Sequence, residues 1–230
     1  MTEPFRPTRR ELLRILATAG GVAASAAILN GCGAPAQPAT PSSQRPSGHS
    51  GALIMIIRHG ERPPASGLPP GIDDNGNPDT HALTERGWTR ARALVALFAP
   101  ATGPTRAGLA RPTAIYASAG TGGIGLRTRQ TVAPLAARLG IPVNTQFTKG
   151  DEPALTQDVA RRTEPCLICW QHGELPAIPS ALANVTPTPP TSWPDDRYDL
   201  VWTLTPAATG WSFHQIPELL LDGDSNQSIA

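Results

Sequence analysis

The run ALIMII, residues 52–57, constrains this chain more than any other stretch. Six apolar residues in succession, with no polar alternation, do not suit a strand with one face in water. They suit a short strand buried on both faces, as in a parallel sheet covered by helices. The run ends abruptly on Arg58, His59, Gly60, Glu61 and Arg62. In open α/β sheets, sites lie beyond the carboxyl ends of the strands. A core strand that delivers an arginine and a histidine to that edge is therefore a candidate for chemistry as well as architecture.

The remaining pattern repeats this alternation. Residues 83–99 (LTERGWTRARALVALFA) form a helical pattern that Thr84 can cap, with Trp88, Ala91, Leu94, Val95 and Phe98 on one stripe. TAIYAS (113–118) reads as a second strand, and 127–140 as a helix closed by Gly140 and Pro142 and interrupted by Pro134. PVNTQF (142–147) and CLICWQ (166–171) read as further strands, and 174–183 as a short helix. Segments 199–205 and 211–216 read as a closing strand pair. Strands alternating with helices predict a three-layer α/β/α sandwich around a mostly parallel sheet.

The first 50 residues do not belong to that domain. Twin arginines in TRRELLR (8–14) precede an apolar, small-residue run, Ile15 to Leu29, too short to span a bilayer comfortably. This resembles a twin-arginine export signal. It ends in LNGC, similar to a bacterial lipobox, which implies cleavage before Cys32 and lipidation of its thiol. Without residues 1–31 the chain carries 15 basic and 16 acidic residues, since four of the 19 arginines and lysines and two of the 18 acids lie there. Residues 32–50, rich in Pro, Ala and Ser, read as a tether, leaving a domain over 51–230. The expected location is the outer side of the cell membrane, the periplasmic envelope, held by a lipid anchor. A net charge of +1 gives no basic footprint for nucleic acid.

Three strand ends carry the chemistry. The first ends on Arg58-His59, the second leads through SAGTGGIGL to Arg127 at a helix start, and the fourth ends on Gln171-His172. Were these strands neighbours, two histidines and two or three arginines would converge. Such a cluster calls for an anion: arginine binds phosphate oxygens through paired hydrogen bonds. A neutral imidazole can attack phosphorus in line while the guanidiniums neutralise its equatorial oxygens.

RHGERP (58–63), LTERG (83–87), RTRQT (127–131) and WQHGE (170–174) occur in this order. Together they resemble the motifs of the histidine phosphatase superfamily, which includes phosphoglycerate mutases and histidine acid phosphatases. The resemblance spans about residues 53–183 and implies a phosphoglycerate mutase-like fold and phosphomonoester hydrolysis without metal or other cofactor. It makes His59 the nucleophile and Arg58 and Arg127 the phosphate clamps. His172 becomes the second phosphate-binding histidine and Arg62 an additional substrate contact. The expected substrate is a small phosphorylated compound or a phosphoprotein. A catalytically weak phosphate-binding lipoprotein of the same fold is the alternative. Acid phosphatases carry Asp directly after the second histidine, where this chain has Gly173. In the small branch of the family the acid lies between the second arginine and second histidine, which points to Glu152, with Asp151 and Glu174 as rivals.

Other features admit plainer readings. Glu61 is equally a surface or helix-end charge, and His49, His81 and His214 belong to no motif. GTGGIG (120–125) matches a dinucleotide-binding pattern but lacks an acidic residue about twenty positions on. Cys166 and Cys169 sit about 10 Å apart on an extended strand, too far for a disulfide, and are expected as buried thiols. Asp195 and Asp196 fall in a Pro-rich loop and read as surface residues. The loop 65–82 is expected to form one wall of the site.

Overall fold

The computed structural model describes residues 51–120 and 123–230. The signal segment 1–31, the tether 32–50 and Cys32 lie outside the described residues. Among those described, no helix is long and apolar enough to cross a membrane.

Seven strands form one sheet: β1 (Ile54–Arg58), β2 (Ala114–Ala117), β3 (Val143–Asn144), β4 (Cys166–Trp170), β5 (Val185–Thr186), β6 (Leu200–Ala207) and β7 (Gly210–Pro217). Their order is β3-β2-β4-β1-β6-β7-β5. β1 pairs in parallel with β4, β4 with β2, and β2 with β3, whereas β6 runs antiparallel to both β1 and β7. This is the mostly parallel sandwich that the sequence predicts. Its first, second and fourth strands are neighbours, the condition that the converging charges require.

Every side chain of β1 and β4 is buried, in accord with their unbroken apolar runs. Alternate residues face opposite layers. Ile54, Ile56, Cys166, Ile168 and Trp170 join a core with helices α3 (Glu152–Ala160) and α4 (Ala177–Ser180). Met55, Ile57, Leu167 and Cys169 join the core of α1 (Glu85–Phe98) and α2 (Leu126–Leu139). The two cysteines are free, buried and in different layers, as expected.

The LTERG motif has a local physical meaning. The Thr84 hydroxyl accepts from the Gly87 N–H as the α1 cap and donates to the Glu61 carbonyl at 3.1 Å. A Cβ on Gly87 would lie 2.6 Å from that same carbonyl oxygen. A side chain is therefore excluded where α1 packs on the loop that follows β1.

Departures from the predicted elements are short-range. α3 and β5 were not legible as regular structure, β3 keeps two residues of the six predicted, and α4 is a single turn. Trp88 is only half-buried; its indole N–H donates to the Ile72 carbonyl, fastening the 65–82 loop to α1.

Candidate active site

The carboxyl ends of β1 and β4 lie side by side, with Arg58 opposite Trp170 and the His59 N–H donating to the Trp170 carbonyl at 3.1 Å. Extending β1 places His59 at the sheet edge, almost fully buried. Its Nδ1 is 2.8 Å from the Gly60 carbonyl oxygen. A carbonyl only accepts, so Nδ1 carries the proton and Nε2 keeps its lone pair. Burial, with Arg58, Arg127 and His172 nearby, pushes the imidazole pKa down to about 3, although the Gly60 contact opposes this. His59 is thus a neutral base held in one tautomer.

Arg58 follows the parity of Ile54 and Ile56 and turns toward the opposite layer. Its Nη1 donates to the carbonyls of Pro194, Asp195 and Arg197, at 2.9, 2.8 and 2.9 Å. Its guanidinium carbon lies 3.9 Å from the centre of the Tyr198 ring. Nε and Nη2 are buried without a partner among the described residues. Desolvation lowers its pKa to about 10.

Arg127 stands in the first turn of α2. The turn before it requires glycine: Gly125 has φ 73°, and a Cβ there would meet the Ser118 carbonyl oxygen at 2.2 Å. Arg127 Nη2 reaches the Thr80 carbonyl at 3.4 Å, while Nε is buried without a partner among the described residues. Thr131, one turn on, accepts from the Gly60 N–H at 2.8 Å and donates to the Arg127 carbonyl at 2.7 Å. One hydroxyl therefore ties the backbone after the histidine to the turn that presents the arginine.

His59, Arg127, His81, Lys149 and Gln171 line a cleft of about 340 Å3. The 65–82 loop supplies His81 and the Thr80 carbonyl, so it does form a wall. Gln171 is held by the Ser118 hydroxyl. A cavity of about 730 Å3 between α1, α2 and residues 72–76 contains none of the candidate catalytic residues.

His172 is partly exposed, with burial and Arg58 lowering its pKa. Its Nε2 is 2.7 Å from Asp195 Oδ1, and Arg62 Nη2 is 3.6 Å from the same oxygen. Arg62 also depresses the pKa values of Arg58, Arg127 and His172, which places its charge within the same cluster.

Glu152 is buried. One oxygen accepts from the Trp170 indole N–H at 2.9 Å, and both accept from the Gly150 N–H. Asp151 accepts from the Thr148 N–H, and Glu174 pairs with Lys149. Glu61 turns away from the cleft to bind Arg90 and Arg86. His214 is exposed beside Ser212. Among the described residues no group of three acidic, histidine or cysteine side chains is placed to hold a metal ion.

The sequence pattern does not announce Pro194, Asp195, Arg197, Tyr198, His81 or Lys149 as part of the site. Asp195 lies 137 positions from Arg58 and Tyr198 further still, and no local pattern in WPDDRY announces a partner so distant.

No protein-family model and no curated protein matches the chain. Solved structures similar to it include a mycobacterial glucosyl-3-phosphoglycerate phosphatase in complex with VO3. It is 15% identical, covering 71% of this chain and 97% of that one, with a TM-score of 0.43. The protein histidine phosphatase SixA in complex with tungstate is 16% identical over 72% of this chain and 97% of its own, with a TM-score of 0.42. A protein described as mycobacterial hydrolase 1 is 12% identical over 71% and 96%, with a TM-score of 0.44.

Proposed function

We propose that the domain is a histidine phosphatase that hydrolyses phosphomonoesters through a phosphohistidine on His59. The observation that carries this reading is the pairing of a buried, neutral His59 with arginine donors left open beside it. Arg58 Nε and Nη2 and Arg127 Nε are buried and make no hydrogen bond among the described residues. Buried guanidinium donors without acceptors are costly, and a phosphoryl group satisfies them. His59 Nε2 is the lone pair available to attack its phosphorus, and His172 and Arg62 would hold further oxygens.

In the first half-reaction the N–P bond forms as the ester P–O bond breaks and the alcohol leaves. In the second, water attacks phosphorus and phosphate departs, restoring His59. Arg58 and Arg127 supply the positive charge that stabilises the phosphoryl group in flight, and His172 a hydrogen bond, so no metal or cofactor is required for this step. The substrate class is a phosphomonoester, either a small molecule or a phosphoprotein. The purified protein should turn over p-nitrophenyl phosphate, and His59→Ala should not. Equal turnover by the two would refute the reading. Phosphate binding without turnover in the wild type would support the alternative of a phosphate-ligand-binding lipoprotein.

We also propose that the protein is exported and anchored in the cell envelope through Cys32. This rests on the twin arginines Arg9 and Arg10, the short apolar run and the LNGC sequence. Cys32→Ser should move the protein from the membrane fraction to the soluble one. A wild-type protein that is already soluble would contradict the anchor.

A further inference from the structure

The carboxylates expected as proton donor are each bonded to other groups. Glu152 accepts from the Trp170 indole and the Gly150 backbone, Asp151 from Thr148, and Glu174 is paired with Lys149. One carboxylate does touch the cluster: Asp195 Oδ1, 2.7 Å from His172 Nε2 and 3.6 Å from Arg62 Nη2. These are two of the groups assigned above to phosphate.

The backbone of Asp195 is also fixed to the site. Its carbonyl, with those of Pro194 and Arg197, accepts from Arg58 Nη1, and Tyr198 lies under the same guanidinium. The side chain is different: 71% of it is exposed, and among the described residues no other hydrogen bond holds it. The loop is thus locked to the arginine next to the nucleophile, while the carboxyl group is free to swing. A phosphoryl oxygen that takes the His172 bond displaces this carboxyl group but leaves it beside the phosphorus centre.

We infer that Asp195 is the general acid and base of the reaction, a role that rests on the phosphatase reading of the same site. In the first step His59 Nε2 bonds to phosphorus, the P–OR bond breaks, and the leaving alkoxide takes the proton of the neutral Asp195 carboxyl group as ROH. In the second step the Asp195 carboxylate takes a proton from the attacking water, the N–P bond breaks, and phosphate leaves. Both partners end as they began.

The test compares an alkyl phosphate with p-nitrophenyl phosphate, whose good leaving group departs with little need of a proton. Asp195→Asn removes the transferable proton from an exposed side chain and preserves its shape. The expected result is a fall of about 100-fold on the alkyl ester, with a fall of only a few-fold on the aryl ester. Asp196→Asn, with the same charge change at an exposed neighbour, should leave both rates unchanged and controls for the field of the loop. Equal falls on both esters would make Asp195 a structural or phosphate-positioning group and overturn the assignment. Faster turnover of both would make it a competitor for the phosphate site and overturn it as well. A selective loss in Glu152→Gln with Asp195→Asn silent would return the role to Glu152. Absence of any wild-type turnover of the aryl ester would instead end the phosphatase reading, and this proposal with it.

Discussion

His59 Nδ1 lies 2.8 Å from the carbonyl oxygen of Gly60, the residue that follows it. That contact fixes the tautomer, and burial fixes the charge state at neutral. The imidazole pKa falls from 6.5 to about 3 in the folded protein. Imidazole NMR of the folded protein should show no titration of His59 between pH 5 and 8. A midpoint near 6.5 would contradict the buried neutral base.

The same shift links stability to pH. Between about 3 and 6.5 the unfolded chain binds a proton at this position and the folded chain does not. Stability from this group is therefore complete above 6.5 and lost as pH falls toward 3. Urea unfolding at pH 7 and at pH 4.5 should differ by less in His59→Asn than in the wild type, by on the order of 2 kcal/mol. An unchanged difference would contradict the shift.

Arg58 and Arg127 hold buried N–H groups that an oxyanion can fill. Vanadate or orthophosphate at 100 times its dissociation constant should stabilise the protein by about 2.7 kcal/mol, read as a rise in Tm. Arg58→Ala and Arg127→Ala should each abolish most of that rise. Retention of the full rise in both would place the anion elsewhere.

Arg90 sits buried among Glu61, Glu218 and Asp224, with contacts of 2.7 to 2.8 Å to each. Burial raises the Glu218 pKa to about 8 even beside this arginine. Arg90→Met would leave buried carboxylates without a counter-charge and should cost about 3–5 kcal/mol in urea unfolding. A loss under 1 kcal/mol would show that the ion network adds little.

Cys166 and Cys169 are in opposite layers of the core, and burial raises their thiol pKa values, that of Cys166 to about 12. The thiolate is the reactive form, so both should resist thiol reagents in the native protein and react once it is unfolded. Rapid native labelling of either would contradict their burial.

The central strands and the positions of Arg58, His59, Arg127 and His172 were legible because they depend on local pattern. A continuous apolar run marks a strand covered on both faces, and the residue after it must lie at the sheet edge. Thr84 and Gly87 were legible as a helix start, though not the close approach to Glu61 that makes glycine necessary. The loop 193–198 was not legible. Its role depends on Arg58 reaching three backbone carbonyls, and carbonyls carry no signature in sequence. Arg90 was hidden for a similar reason. It reads as a solvated residue on an amphipathic helix, and the return of the chain at 218–224, together with Glu61, makes that position a buried ion network.

The central claim is that His59 carries the phosphoryl group during turnover. Purified protein quenched during turnover of 32P-labelled phosphomonoester should hold label that survives alkali and is released by acid, as a phosphoramidate is. The labelled peptide should contain His59, and His59→Ala should trap none. Label that survives acid, or a His59→Ala protein that is labelled and turns over substrate like the wild type, would contradict the account.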